Sequence, residues 1–402
     1  MQTQLTEEYL NSKTGQKADS ILRKCVHCGF CNATCPTYQI LGDELDGPRG
    51  RIYQIKDYLE GKGNINSLQL HLDRCLTCRS CETTCPSGVE YHKLLDIGRD
   101  IVHQHGKRPL LERIKRSILL GILPNRQRFG QLIRLAQVFR PLMPPSLKRK
   151  IPARSKQQSV ATKNHHRFVL LLEGCVQPAL APTIHTATRN VLNKIGITVV
   201  TPPQAGCCGA LPFHLGETEK ARQMCRNNID AWWPWIEKGA EFILVNTSGC
   251  GPMLKDYIDI LADDPEYSAK ARKVSELCRD ISELLSCEDL SGLTGKRTTA
   301  IAFHSPCSLQ HAQGINNLVE PILANAGFNL TTVTDTHLCC GSAGTYSLFQ
   351  PEIANQLRKN KLETLEKNQA DVIATANIGC LMHLAEKSTL PVRHWIELLD
   401  EG

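Results

Sequence analysis

Short apolar runs and amphipathic stretches alternate along the C-terminal two thirds of the chain. The apolar runs have the length of buried strands, and they occur at residues 168–172, 198–201, 242–245, 300–303, 330–334 and 372–375. Helical patterns separate them, at residues 181–195, 217–238, 316–326 and 351–368. Strands of this length alternating with helices predict parallel sheets with crossover helices.

Cysteine spacing shows that this region is duplicated. In each copy, 31 residues separate one cysteine from a Cys-Cys-Gly step, and a Gly-Cys step follows later. The first copy contains Cys175, Cys207, Cys208 and Cys250, and the second contains Cys307, Cys339, Cys340 and Cys380. Because ligands gather at the carboxyl ends of parallel strands, we expect the four cysteines of each copy to meet at one edge of a sheet.

A different pattern, C-x2-C-x2-C-x3-C-P, occurs twice near the N-terminus, from Cys25 to Pro36 and from Cys75 to Pro86. Three thiolates on one tight loop can reach three corners of a cubane cluster. The fourth cysteine lies on the following turn and points toward a second cluster. The pattern therefore predicts two [4Fe–4S] clusters in a mainly helical ferredoxin domain.

The displaced fourth cysteines predict that the two motifs exchange a ligand. We assign cluster I to Cys25, Cys28, Cys31 and Cys85, and cluster II to Cys75, Cys78, Cys81 and Cys35. Zinc knuckles also use C-x2-C steps, but they rarely place four cysteines in this run with proline directly after. Iron–sulfur sites are therefore preferred over zinc.

These patterns predict an α+β chain of four segments. A ferredoxin domain spans residues 1–105, a basic helical connector 106–165, a first cysteine-rich α/β domain 166–290 and a second 291–402. Three further cysteines, Cys225, Cys278 and Cys287, lie in helical patterns away from other cysteines and are interpreted as packing residues. The insert at residues 42–51 is interpreted as a loop leading into a helix at 52–59, or as a docking surface beside cluster I.

The net charge of +7 comes from the connector, since residues 106–167 contain 16 Lys or Arg and one acid. One helical face there carries Leu111, Ile114, Ile118 and Ile122, and a second carries Leu132, Ala136, Phe139 and Met143. Basic amphipathic helices lie on anionic membranes or dock on acidic partners. The alternative is a helix pair packed on the ferredoxin domain with a solvated basic side. No nucleic-acid partner is expected, because aromatic residues are sparse and no such motif occurs.

The duplicated pattern resembles the CCG cysteine-rich domains of heterodisulfide reductases and of iron–sulfur subunits of flavin dehydrogenases. With the double ferredoxin motif and the Asp-Gly-Pro-Arg-Gly-Arg segment at 46–51, the chain resembles the family of bacterial glycolate oxidase iron–sulfur subunits. The resemblance implies a complex in which separate subunits bind FAD and glycolate. This chain would accept electrons and pass them toward membrane quinone.

The chain departs from the fullest form of that family, in which each CCG motif ends in Cys-x-x-Cys. Met253 stands at the last position of the first copy and His383 at that of the second. Four thiolates per copy still suffice to bind a metal or a cluster. The alternative is a scaffold whose cysteines are small buried side chains, and the sequence leaves both open.

Three functional classes remain after these observations. An electron-transfer subunit without a catalytic residue is preferred, since no glycine-rich dinucleotide loop is present and the flavin must lie elsewhere. Iron–sulfur subunits of lactate, 2-hydroxyglutarate and glycerol-3-phosphate dehydrogenases share this architecture, so these substrates are the alternatives to glycolate. A heterodisulfide-reductase-like enzyme and a zinc-stabilised interaction protein are the alternatives. Residues 1–20 are polar and no apolar run approaches a membrane span, so we expect a cytoplasmic protein, peripheral on the inner face of the membrane.

Overall fold

The computed structural model describes residues 1–154, 164–295 and 297–401, so part of the end of the connector lies outside the described residues. These residues form two compact units. The first comprises Met1–Arg116 together with Leu211–Thr218 and His337–Lys361, and the second comprises the rest of the described chain. The four segment boundaries predicted from the sequence stay a prediction.

The N-terminal part of the first unit is helical, as predicted. Its helices are Glu7–Leu10, Lys13–Lys24, Phe30–Ala33, Pro36–Leu41, Pro48–Leu59, Ile65–Asp73, Ser80–Thr83 and Tyr91–His105, with a 3-10 turn at Glu44–Asp46. The longer helices bury their apolar faces in a common core that includes Leu22, Ile55, Leu72 and Leu94. Side-chain caps fix where two of them begin, because Ser12 accepts from the amide of Gly15 and Asn64 from that of Ser67.

The second unit contains two parallel four-stranded sheets of identical topology. The strands of the first are β1 (Arg167–Leu172), β2 (Ile197–Val200), β3 (Ile243–Val245) and β4 (Cys278–Asp280). The strands of the second are β5 (Ala300–His304), β6 (Asn329–Leu330), β7 (Val372–Thr375) and β8 (Val392–His394). The orders β2-β1-β3-β4 and β6-β5-β7-β8 correspond strand for strand. The predicted α+β fold with a duplicated parallel α/β region is confirmed.

Helices connect these strands as the sequence pattern predicts. Those of the first repeat are Gln177–Leu180, Pro182–Lys194, Ala210–His214, Thr218–Glu237, Gly251–Lys255, Tyr257–Ile260, Ser268–Leu277 and Ile281–Leu285, with a 3-10 turn at Ser291–Leu293. Those of the second are Cys307–Gln310, Val319–Asn325, Tyr346–Phe349, Pro351–Leu365, Ile378–Ala385 and Trp395–Asp400. Cys225 and Cys278 are buried, as expected of packing residues, although Cys278 begins strand β4 instead of lying in a helix. The interpretation of Cys287 as a packing residue was wrong, because Cys287 is exposed.

The two repeats of the second unit share one hydrophobic core, which draws Leu171 and Leu244 from one sheet and Ile301 and Ala374 from the other. Equivalent positions meet between the repeats. The Thr247 hydroxyl donates to the Asn377 side-chain oxygen at 2.9 Å, and the Ser248 amide donates to the Ala376 carbonyl at 2.9 Å. The segments just beyond β3 and β7 are therefore tied to each other.

The connector helices Leu110–Ile122 and Arg126–Phe139 turn apolar side chains outward. Leu111 is 73% exposed, and Ile114 and Ile118 on the same face are also exposed. The charged side of the first helix instead attaches to the protein, because Arg108 and Arg116 pair with Asp73 and Glu112 at 2.6 to 3.4 Å. No helix in the described part of the chain combines the length and hydrophobicity needed to cross a membrane.

Two buried histidines make the second unit sensitive to acid. Burial lowers the pKa of His185 to about 4 and that of His394 to about 3. An unfolded histidine has a pKa near 6.5, so at pH 5 the unfolded chain binds protons that the folded chain excludes.

We therefore expect the free energy of unfolding to fall between pH 7 and pH 5, by about 2 kcal/mol for each histidine. The H394N variant keeps a side-chain acceptor at the start of the last helix but cannot titrate. Urea unfolding at several pH values should show a pH-dependent loss in H394N that is about half that of the wild type. An equal loss in both proteins would contradict the assignment to His394.

Candidate metal centres

Two cavities in the first unit gather the eight cysteines of the N-terminal motifs. One, of about 430 Å³, is lined by Cys25, Cys28, Cys31 and Cys85. The other, of about 380 Å³, is lined by Cys35, Cys75, Cys78 and Cys81. Each cavity takes three cysteines from one motif and the fourth from the other, and Cys81 also borders the first cavity. The structure thus groups the cysteines as the sequence analysis does, and their roles as ligands stay a prediction.

Left-handed backbone conformations turn the cysteine side chains toward these cavities. His27 and Thr77, at matching positions of the two loops, have φ values of 56° and 55°. Gly29 and Arg79, again at matching positions, have φ values of 87° and 59°. Side chains other than glycine adopt this region at a strain of roughly 1–2 kcal/mol. The strain is repeated in both loops, which indicates that the loop shape is set by what the thiols hold.

The two cavities differ in exposure. The first loop carries Val26 and Phe30, which are 67% and 61% exposed, and Cys28 between them is exposed as well. At the matching positions of the second loop, Leu76 and Ser80 are buried. The first cavity therefore lies closer to solvent.

A buried group of charged side chains adjoins the second cavity. Asp46 and Arg51 are fully buried, and the Asp46 carboxylate contacts His71 Nδ1 at 2.8 Å and Arg74 Nη1 at 2.7 Å. The sequence analysis missed this group and treated residues 42–51 as a loop. In the structure this segment is a 3-10 turn followed by the start of helix Pro48–Leu59. A signal was available, because residues 42–51 contain three acids and two arginines among glycines that permit tight packing.

The chemistry of these side chains fits iron–sulfur clusters. None of the 19 cysteines, all of which lie in described residues, forms a disulfide. Burial raises the pKa of Cys81 well above its usual value, and burial with the nearby Cys25 raises that of Cys31 to about 11. Four thiolates around one buried cavity repel one another and lose solvation, so they need a bound cation to compensate. Iron–sulfur clusters provide that compensation.

In the first cysteine-rich repeat, all four predicted cysteines come together. The Cys175 and Cys208 thiols donate hydrogen bonds to Cys207, which lowers the pKa of Cys207, and Cys208 also hydrogen bonds with Cys250. The Gly209 amide approaches the Cys207 sulfur at 3.5 Å. Cys175 follows β1 and Cys250 follows the neighbouring strand β3, so the expected edge of the sheet holds the site.

Two buried polar residues hold the Cys-Cys pair in place, and the sequence analysis did not identify them. Asn228 donates to the Cys207 carbonyl at 2.9 Å, and the Tyr257 hydroxyl donates to the Cys208 carbonyl at 2.9 Å. Asn228 also bonds to Tyr257. They lie on helices outside the Cys-Cys-Gly and Gly-Cys steps, so the cysteine spacing carried no signal of their role. Met253, at the departing position, is buried near Gly209.

The cysteines of the second repeat fall in both units. Cys307 begins helix Cys307–Gln310, and Cys380 lies in helix Ile378–Ala385, where the Asn377 amide contacts its sulfur at 3.4 Å. Cys339 and Cys340 belong to the first unit. The Gly341 amide approaches the Cys339 sulfur at 3.4 Å, as in the first repeat. At Gly341, φ is 90° and a Cβ would meet the Ala354 carbonyl at 2.6 Å, which explains the glycine.

Comparison with known proteins places these sites in families. Residues 21–89 match the family described as 4Fe-4S dicluster domain. Residues 169–255 and 301–385 each match the family described as Cysteine-rich domain. The glycolate oxidase iron-sulfur subunit of Escherichia coli (strain K12) is 55% identical over 403 residues, which cover 100% of this chain and 99% of that protein. The chain belongs to the glycolate oxidase iron–sulfur subunit family.

More distant relatives match most or part of the chain. A probable glycolate oxidase iron-sulfur subunit of Bacillus subtilis (strain 168) is 29% identical, covering 90% of this chain and 88% of that protein. Lactate utilization protein A of an Exiguobacterium species is 27% identical over 244 residues, covering 58% of this chain and 97% of that protein. The predicted family, the duplicated cysteine-rich region and the [4Fe–4S] cofactors are thereby confirmed.

The exchange of ligands between the motifs is testable with single cysteine variants. We expect C85S to disturb the same reduced-cluster EPR signal as C28S, and C35S the same signal as C78S, because each fourth cysteine lines the other motif's cavity. The C287S variant, which removes an exposed cysteine outside both cavities, is the control. A C85S spectrum that matched C78S would show ligation within each motif and contradict the exchange.

Proposed function

We propose that this chain is the electron-transfer subunit of a membrane-associated, flavin-dependent complex that oxidises glycolate to glyoxylate. Partner subunits carrying FAD would bind the substrate and take two electrons and two protons from it. This chain would accept the electrons from reduced flavin and pass them toward membrane quinone. The observation that carries the proposal is full-length similarity, at 55% identity, to a protein named as a glycolate oxidase subunit.

The geometry of the first unit supports this role. A bound [4Fe–4S] cluster takes up and releases one electron at a time. The two cavities share Pro48, Cys81 and Tyr91 in their linings, so they lie side by side in one helical domain. The exposed first loop, with Val26, Cys28 and Phe30 at the surface, suits contact with an electron donor. We therefore assign entry of electrons to the first cavity.

The outward apolar faces of the connector support association with the inner face of the cytoplasmic membrane. Leu132, Leu135, Phe139 and Leu142 recur at helical spacing and are 47% to 85% exposed. A helix in a soluble protein ordinarily buries its apolar stripe. Here basic side chains such as Arg134 flank the stripe, the combination by which interfacial helices bind anionic lipid. Acidic partner subunits are the alternative occupant.

A second candidate function is electron transfer for a lactate dehydrogenase system. It is favoured by the similarity of residues in this chain to lactate utilization protein A, at 27% identity over 58% of the chain. The identity is about half of that to the glycolate oxidase subunit, and the coverage is smaller. Glycolate is therefore preferred over lactate, 2-hydroxyglutarate and glycerol 3-phosphate as the substrate of the partner.

We expect C28S to block quinone reduction while reduction of the partner flavin by glycolate stays intact. The serine hydroxyl is a poor ligand for the cluster nearest the surface, and the flavin lies on another subunit. Stopped-flow absorbance of the flavin and steady-state quinone reduction, both in the reconstituted complex, separate the two steps. Quinone reduction at the rate of the C287S control would contradict the assignment of the first cavity.

We expect the L135E/L142E double variant to lose binding to vesicles that contain anionic lipid, because it places carboxylates in the apolar stripe. Co-sedimentation of the purified holo-chain with anionic and with zwitterionic vesicles measures this. L348E is the matched control, since Leu348 is 58% exposed and lies outside the connector. Failure of the wild-type chain to bind, or equal binding by both variants, would favour a protein partner at this surface.

A further inference from the structure

The second cavity has a permanent positive charge in its wall. Arg51 lines this cavity, and its side chain is 1% exposed. Its Nη1 contacts the Cys35 sulfur at 3.9 Å, its Nη2 donates to Thr37 Oγ1 at 3.1 Å and its Nε donates to the His71 carbonyl at 2.8 Å. A fourth contact is the ion pair between Arg51 Nη2 and Asp46 Oδ1 at 3.6 Å. Together the four contacts hold the guanidinium beside Cys35, a predicted cluster ligand.

Burying an arginine costs desolvation energy, which hydrogen bonds and an ion pair offset only in part. The carboxylate that pairs with it is shared, because Asp46 also contacts Arg74 at 2.7 Å and His71 at 2.8 Å. One carboxylate thus faces two guanidinium groups. The group as a whole leaves positive charge at the cavity, and arginine keeps that charge at any accessible pH.

One further donor at this cavity acts in the same direction, since the Tyr91 hydroxyl donates to the Cys75 sulfur at 3.7 Å. Hydrogen bonds to ligand sulfurs and local charge are among the features that set the reduction potential of a cluster. The Thr37 hydroxyl lies 3.2 Å from the Cys35 sulfur, but it donates to the Asp46 carbonyl at 2.9 Å.

The arginine at the first cavity is more exposed than Arg51. Arg49, on the same turn of helix Pro48–Leu59, lines the first cavity. Its side chain is 36% exposed, and it forms an ion pair with Glu44 at 2.7 Å. Solvent and the carboxylate screen its charge. The two arginines of the Pro-Arg-Gly-Arg segment therefore face different cavities, and only Arg51 does so from a buried position.

We propose that Arg51 raises the reduction potential of the cluster held by Cys35, Cys75, Cys78 and Cys81 and so makes that cluster the electron sink of the pair. Reduction adds one negative charge to a cluster, and a buried cation beside a ligand sulfur stabilises the reduced state. The inference rests on the proposed function only for the direction of electron flow. Arg51 acts through the ligand sulfurs and is a positioning residue, not a catalytic one.

The test is an EPR-monitored redox titration of the purified holo-chain under anaerobic conditions. The signals are assigned beforehand with the C28S and C78S variants. We expect R51Q to lower the midpoint potential of the cluster assigned with C78S and to leave that of the other cluster unchanged. D46N, which removes the neighbouring negative charge, should shift the same midpoint in the opposite direction.

Two further variants separate charge from structure. R51K keeps the charge and should retain most of the wild-type midpoint, even if iron content falls. R49Q, the matched control, should leave the midpoint of the C78S-assigned cluster unchanged. If R51Q does not assemble its clusters, D46N decides the question: its midpoint should rise while that of R51K stays near the wild-type value, and an unchanged or lowered midpoint in D46N would overturn the proposal.

Three results would overturn the proposal: an unchanged midpoint in fully loaded R51Q, equal shifts of both clusters, or shifts of the same sign in R51Q and D46N. Failure of the proposed function would look different. It would appear as absent quinone reduction with glycolate, whereas the midpoint titration uses neither substrate nor partner.

Discussion

The structure of the first unit depends on the repulsion among buried cysteine thiolates and on its relief by a bound cation. Burial raises the pKa of Cys81 and Cys31, so the thiols resist ionisation until iron takes the place of their protons. Because each cavity is lined by a cysteine from the other motif, the predicted ligand sets need both loops. Cluster binding and folding of this domain are therefore expected to be linked.

The second unit gathers cysteines on a different scaffold. Parallel strands place Cys175 and Cys250 at one edge of a sheet, and Gly209, with a positive φ, turns its amide toward Cys207, as Gly341 does toward Cys339 in the first unit. Contacts between equivalent segments, such as Thr247 with Asn377, join the two sheets. The two sheets thus share one core, and the first repeat offers four convergent thiols.

Much of this arrangement was predictable from the sequence, because it depends on the spacing of cysteines and apolar residues along short segments. The cysteine motifs carried the grouping into two cavities, and apolar runs located β1, β3, β5 and β7 to within one or two residues. Strands β4 and β8 were missed because their sequences, Cys-Arg-Asp and Val-Arg-His, form no apolar run. Asn228, Tyr257 and the Asp46–Arg51 group were missed because their roles arise from contacts between distant helices. The apolar stripe of the connector helices was predictable from the sequence, but the sequence did not show that this stripe turns outward.

The central claim is that the chain binds two [4Fe–4S] clusters through eight N-terminal cysteines. Anaerobic analysis of iron and acid-labile sulfide, with EPR after reduction, tests it most directly. The account predicts about eight irons and eight sulfides per chain, with two reduced-cluster signals. About twelve of each would add a cluster in the cysteine-rich repeats. Zinc without sulfide would contradict the account.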